Sequence, residues 1–253
     1  MIQKIGLKEK IFFDRMLRIP WMDHEKLRKL KVGVIGLGNT GSPVAIMLYG
    51  LGLKEVWLID RDEVELSNIQ RQFMYTEKDL KKPKAVAAKE FLKRRFKELN
   101  TRIEAVVADV RYLDEFDFDF VFCCVDNNSA RKAVLEKCLE KQIPLIDTGL
   151  EFYESQAGHV LLVDKQKFPE GACVNCYLDL NREVEYKGGC IAAGIPYSGA
   201  SVASPAVAMF VHHVMKGIKV NFYFVDFNSM HSEFLFLRKR NSCEMCGCIE
   251  LFT

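Results

Sequence analysis

The 253-residue sequence has no long hydrophobic run, no dominant charge, no internal repeat and no low-complexity or Pro/Ser-rich segment. Its longest apolar stretches, near 44–53 and 203–215, are too short for a bilayer or broken by polar residues, which excludes a membrane-spanning class. The opening stretch MIQKIGLKEKIFFDRM is charged throughout and lacks the apolar h-region of a leader, so the chain reads as cytoplasmic. With 36 basic and 34 acidic residues the net charge is +2, and no direct nucleic-acid contact is expected from it. Local basic runs such as Lys93-Arg94-Arg95 lie among apolar residues at helical spacing and read as a solvated helix face. With no linker in sight, one continuous domain is the simpler organisation.

Cysteine, by contrast, is plentiful: there are nine. A reducing compartment disfavours a disulfide framework and turns attention to metal binding or catalysis, and an odd count rules out complete internal pairing. Cys173-Val174-Asn175-Cys176 and Cys243-Glu244-Met245-Cys246 form two CxxC knuckles far apart in sequence. Four thiolates so arranged fit a closed tetrahedral Zn²⁺ site that clips the end of the chain to its middle. Cys123, Cys124 and Cys138 read as core filling, and Cys248 as a thiol without a role. Cys190 follows Gly188-Gly189 at the end of a polar, aperiodic segment (181–189) and precedes a run of small residues. It is either a buried structural thiol or an exposed one acidified by nearby positive groups.

The first half of the sequence alternates strand and helix patterns. KVGVI (31–35), EVWLI (55–59), RIEAVV (102–107), DFVFCC (119–124) and PLID (144–147) read as strands. Helices are expected after Pro43, over 84–99 and near 128–141. This order predicts an α/β, doubly wound Rossmann-like domain with a parallel sheet. The second half offers GHVLLV (158–163), VNFYFVDF (220–227) and EFLFLR (233–238) around one Ala-rich helix at 203–216. Those strands are expected to continue the same sheet in antiparallel fashion, making it mixed.

Gly36-Leu37-Gly38-Asn39-Thr40-Gly41 sits between the first strand and its helix, where glycines let the backbone approach a phosphate and the helix N-terminus favours the anion. Asp60 ends the second strand, 24 residues after Gly36, the place for a carboxylate that accepts from a ribose hydroxyl. Next come Asp60-Arg61-Asp62, Ser67-Asn68-Ile69-Gln70-Arg71-Gln72 and Lys82-Pro83-Lys84. Hydride transfer has little use for so many cations and amides, which argues against a nicotinamide-dependent oxidoreductase. A site where a carboxylate attacks the α-phosphorus of ATP and pyrophosphate leaves needs fixed Arg and Lys with a metal. Asp126, after a later parallel strand, suits Mg²⁺.

Taken together, GLGNTG, LIDRDEVELSNIQRQ, KKPK, CCVDNN, CVNC, GGC and CEMC stand in the order found in the ThiF/MoeB/HesA group, and the chain resembles these compact ubiquitin-activating-enzyme-like adenylyltransferases over roughly residues 8–250. The resemblance implies a single ThiF-type adenylation domain over 1–253 with an N-terminal helical arm, acting as a homodimer. It implies ATP bound with Gly36, Gly38 and Gly41 at the loop, Asp60 on the ribose, and Asp62 and Gln72 in the nucleotide site. Asn68, Arg71 and Lys84 would contact the phosphates, Asp126 would bind Mg²⁺, and Arg15 of FFDRMLRI would reach the phosphates of a partner's ATP. Cys190 matches a loop cysteine that some members join covalently to the activated C-terminus.

The implied substrate is the Gly-Gly C-terminus of a ubiquitin-like or sulfur-carrier protein. The chain departs from the group at Asn39, where a further glycine is usual, and at Met16-Leu17 after the N-terminal motif. An adenylating tRNA-base dehydratase is a rival reading, disfavoured by the zinc pairs and the absence of basic patches. A non-catalytic scaffold that binds a ubiquitin-like protein is another, disfavoured by the intact set Asp60, Arg71, Lys84 and Asp126.

Overall fold

The structure, a computed structural model, describes residues 6–151, 156–181 and 194–246. Three short helices, α1 (Leu7–Phe12), α2 (Asp14–Leu17) and α3 (His24–Leu27), lead into β1 (Lys31–Ile35). There follow α4 (Gly41–Leu51), β2 (Glu55–Ile59), α5 (Leu66–Ile69), α6 (Lys84–Arg95), β3 (Arg102–Val106), β4 (Phe120–Cys123), α7 (Asn128–Glu140) and β5 (Leu145–Glu151). The remainder is β6 (Ala157–Val163), α8 (Val174–Tyr177), α9 (Pro196–Met215), β7 (Phe222–Asp226) and β8 (His231–Leu235).

The eight strands among the described residues form one sheet in the order β3-β2-β1-β4-β5-β6-β7-β8. Pairing is parallel from β3 to β5 and antiparallel from β5 to β8, so the mixed sheet is as the sequence pattern predicts. In β1 the residues Val32 to Ile35 are all buried, because helices cover both faces of a parallel sheet and its central strands become apolar throughout. On one face α4, α6 and α9 build a core with Val34, Leu48, Phe120, Phe122 and Phe210. On the other, α7 packs with Val121, Val134 and Leu135 in the same cluster as the cysteines of the two knuckles. Among the described residues no helix is long and apolar enough to cross a membrane.

Two helix ends differ from the sequence pattern. α6 stops at Arg95 rather than near 99, because the Phe96 ring stacks on Phe12 at 4.7 Å and its carbonyl accepts from Tyr49 Oη at 2.6 Å. α9 begins at Pro196, seven residues earlier than its alanine content indicates. Pro196 suits the first turn, and the poor helix formers Ser198 and Gly199 are held there by close packing on the glycine loop.

The N-terminal arm docks on the far end of α4. Gly52 ends that helix with φ +70°, and a Cβ there would lie 2.3 Å from the Phe13 ring. His24 Nε2 lies 3.1 Å from the Leu51 carbonyl, and burial pushes the imidazole below the ordinary histidine range. The folded state therefore binds fewer protons at His24 than the unfolded chain, and stability from this site is lost as pH falls below about 6.5 toward the depressed folded value. A His24→Gln variant is expected to show a shallower fall of Tm between pH 7.5 and 5.5 than the wild type. Parallel curves in thermal melts would refute this.

Candidate active site

The loop between β1 and α4 is held by backbone contacts that tolerate no side chain. Gly36 has φ +84°, and a Cβ on it would sit 2.6 Å from the Cys124 carbonyl oxygen. A Cβ on Gly41 would fall 1.8 Å from the Gly36 carbonyl oxygen. Gly41→Ala must therefore push the loop open. The expected result is loss of nucleotide binding by calorimetry together with a lower Tm; wild-type affinity would show that the loop is not the binding element.

Asp60, at the end of β2, is buried and reaches back to this loop. Its Oδ2 accepts from Leu37 N at 2.6 Å and its Oδ1 from Asp62 N at 2.8 Å. Burial raises the carboxyl above its ordinary range, while the Lys84 cation and the two N–H donors pull the other way. Tyr75 Oη donates to the Leu37 carbonyl at 3.0 Å and fixes the same loop from the other side.

Lys84 opens α6 beside this carboxylate. Its side chain is only 10% exposed and Nζ lies 3.3 Å from Asp62 Oδ2. Arg61 lies between two carboxylates, 2.8 Å from Asp109 and 3.6 Å from Asp62. Arg111 and then Arg61 keep the Asp109 carboxyl well below the carboxylate range despite its partial burial. Asn68 caps α5, its Oδ1 accepting from Glu65 N at 3.1 Å. Arg71 donates to the Ser67 carbonyl at 2.6 Å, and the backbone of Gly194 closes against its stem. Gln72 is 4% exposed, with its amide beside Gly38.

Three buried polar atoms around this loop lack a hydrogen-bond partner among the described residues: Gln72 Oε1, Asn39 Oδ1 and Ser42 Oγ. Buried polar groups are rarely left so, and a polar ligand in the loop would explain the cluster. Asp126 stands just beyond β4, exposed, with the Asn127 amide 3.3 Å from its Oδ1.

Arg15 is not brought to these residues. It lies on α2 with its side chain 87% exposed, 3.8 Å from Asp14. The arm that carries it packs at the opposite end of α4 from the glycine loop, a helix of 11 residues and so about 16 Å long. Cys190, with Gly188-Gly189, lies outside the described residues. Cys123 and Cys138 are buried, and burial pushes the Cys124 thiol up to about 12, in keeping with core filling.

The two CxxC knuckles do meet. The four Sγ atoms of Cys173, Cys176, Cys243 and Cys246 lie within 4.8 Å of one another, with neighbouring separations of 3.9, 3.7 and 3.4 Å. Four sulfurs at about 2.3 Å from one ion are about 3.8 Å apart in a tetrahedron, so the set fits a metal ion. Further N–H donors point at the sulfurs, Arg240 N to Cys176 at 3.4 Å and Asn175 Nδ2 to Cys243 at 3.8 Å.

Two arrangements were not foreseen from sequence pattern. Asn39 Nδ2 donates to Ser198 Oγ at 2.9 Å, and a Cβ on Gly199 would lie 2.0 Å from the Asn39 carbonyl oxygen, so the start of α9 seals the loop. A buried Arg131–Asp147–His159 network lies under the Asp126 turn. The small residues at 198–201 are the only sequence signal for the first, and the second leaves none.

Fold and site together define a doubly wound α/β protein with a mononucleotide-type glycine loop and a four-thiol knuckle. The sequence model of the ThiF family matches residues 13–248, and the chain belongs to that family. It is 29% identical over 232 residues to the sulfur carrier protein ThiS adenylyltransferase of Escherichia coli K12, covering 88% of each chain. It is 25% identical over 251 residues to the molybdopterin-synthase adenylyltransferase of Salmonella typhimurium, covering 95% of this chain and 97% of that one. A crystal structure of E. coli MccB with ATP shares the fold, with TM-score 0.71 and 20% identity over 88% of this chain and 68% of that chain.

Proposed function

We propose that this protein uses Mg-ATP to adenylate the C-terminal glycine of a ubiquitin-like or sulfur-carrier protein. The observation that carries the reading is the convergence of Asp60, Asp62, Lys84 and the unsatisfied Gln72 amide on one glycine loop. The two nearly full-length bacterial relatives, both adenylyltransferases by name, support it.

The tail carboxylate attacks the α-phosphorus, the bond to the bridging oxygen breaks, and pyrophosphate leaves with its electron pair, giving an acyl-adenylate. Backbone at Gly36, Gly38 and Gly41 approaches the phosphates, and Asp60 accepts from the ribose. Asp62, Asn68 and Gln72 orient the nucleotide while Arg71 and Lys84 neutralise the charge that builds as two anions meet. Asp126 holds Mg²⁺, which offsets phosphate charge when bound.

The chain forms one adenylation domain over 1–253 and acts as a cytoplasmic homodimer. The distance of Arg15 from its own loop favours that arrangement, since the arginine is free to serve a partner's site. The four cysteines hold Zn²⁺ as a structural clip. A second step, thioester formation at Cys190, follows in the same reading.

The test is pyrophosphate exchange with Mg-ATP and a panel of ubiquitin-like proteins ending in Gly-Gly, with a search for a thiol-sensitive adduct. Exchange with at least one partner is expected, and none with any would sink the activation claim. An adduct that survives Cys190→Ala would remove only the thioester step.

A further inference from the structure

Arg131 lies in the first turns of α7 and is assigned no role above, yet it is 6% exposed and carries a charge into the protein interior. Its guanidinium spans three groups at once. Nη1 pairs with Asp147 Oδ1 and donates to the Thr148 carbonyl at 3.1 Å, both on β5. Nη2 donates to the Val125 carbonyl at 2.7 Å. Asp147 is fully buried, and its second oxygen lies 3.1 Å from His159 Nε2 on β6. Burial pushes the Asp147 carboxyl up, and the guanidinium together with His159 more than offsets this and keeps it below the carboxylate range.

Stability alone gives little reason for such a pair, since a buried ion pair can be exchanged for apolar residues at little or no cost. The geometry supplies another reason. Val125 immediately precedes Asp126, and the Cys124–Val125 peptide is the surface on which Gly36 rests. A Cβ on Gly36 would lie 2.6 Å from the Cys124 carbonyl oxygen and 3.1 Å from Val125 N. Cys124 N bonds to the Ile35 carbonyl at 2.7 Å as part of the sheet, and the arginine's bond to Val125 adds a brace on the side that faces both the back of the glycine loop and the turn that presents Asp126. Only a planar fork can hold a strand carboxylate, a strand carbonyl and this turn together; a lysine ammonium is a single compact point of charge.

We propose that Arg131 is a positioning residue, which anchors the Cys124–Val125–Asp126 segment to β5 and so sets the spacing between the glycine loop and the Mg²⁺ carboxylate. This rests on the functional reading above.

The experiment measures Mg-ATP affinity by calorimetry and the Mg²⁺ dependence of pyrophosphate exchange. The proteins compared are the wild type, Arg131→Lys, Asp126→Ala, the double variant Arg131→Lys/Asp126→Ala, and the apolar pair Arg131→Met/Asp147→Met. Arg131→Lys keeps the charge opposite Asp147 and loses the fork. It is expected to raise the Mg²⁺ concentration for half-maximal exchange about tenfold, the usual scale for removing a group that orients a metal ligand. The apolar pair leaves His159 and two carbonyls without partners and is expected to lower Tm, yet its folded population is expected to show the same Mg²⁺ shift, whereas a purely structural role would lower Tm and leave the Mg²⁺ dependence unmoved. Adding Arg131→Lys to Asp126→Ala is expected to cost nothing further, because the arginine acts through that turn. Wild-type Mg²⁺ dependence in Arg131→Lys, or losses that multiply in the double variant, would overturn the role of Arg131 alone. A wild type that binds no Mg-ATP would overturn the functional reading beneath it.

Discussion

Lys84→Ala is expected to lower pyrophosphate exchange by roughly 10²- to 10³-fold, the scale for removing one preorganised charge from a developing anion. The side chain is 10% exposed and stands between Asp62, at 3.3 Å, and the buried Asp60 carboxyl. Its loss should leave the fold intact, because Asp62 is 54% exposed and returns readily to water.

The same substitution carries a pH signature. Burial holds the Asp60 carboxyl above its ordinary range, and the nearby Lys84 charge does most to pull it back. Without that charge the carboxyl stays protonated to higher pH. The ribose acceptor is then lost sooner as pH falls, and the acid limb of the rate profile moves upward. Lys84→Arg should recover part of the rate and restore the limb. Exchange within threefold of wild type in Lys84→Ala, with an unmoved limb, would remove Lys84 from the charge-stabilising set.

The paired variant Cys243→Ser/Cys246→Ser is expected to release bound zinc and to lower Tm by about 10 °C. Cys243 and Cys246 are almost completely buried, and the hydrogen bonds beside them include Arg240 Nη2 to the Asn175 carbonyl at 2.5 Å and two N–H donors to sulfur. Closing a chain segment of this length by a cross-link is worth about 4 kcal/mol on the chain-entropy scale. For a chain of this size each kcal/mol moves Tm by about 2–4 °C. One zinc per chain by elemental analysis, and a chelator-induced fall in Tm of the same size, would complete the case. Purified protein that carries no metal and melts identically with and without chelator would overturn it.

The strands were legible wherever burial on both faces makes a run apolar, as in β1, β2 and β4. The metal knuckles were legible because ligand spacing is a local property of the chain. The start of α9 was not, since Pro196, Ser198 and Gly199 favour a loop by propensity. What makes them helical is the contact of Gly199 with Asn39, some 160 positions away. Asn39 itself reads in sequence as a departure from a glycine pattern, whereas in the fold its amide and carbonyl are where α9 docks. Lys84 and Arg71 stand out by residue type, but pattern alone does not pair Lys84 with Asp62 or set Gly194 against Arg71. Arg131, Asp147 and His159 are single polar residues on a helix and within apolar strands. Their side chains pair with one another across the helix and two strands, and no periodicity announces them.

The strand order of the sheet also has a kinetic consequence. β5 and β6 pair across a short connection, and β7 and β8 close around Asp226 and His231; such near neighbours find each other quickly. The join of β1 to β4 is remote: Lys31 N donates to Asp119 across 88 positions. Pairings that close long loops are slow, because the chain gives up freedom before contacts repay it. Gly36 and Cys124 touch at that join, so the nascent protein is expected to acquire its hairpins early and its nucleotide loop late. Refolding followed by strand content should therefore run ahead of refolding followed by ATP binding.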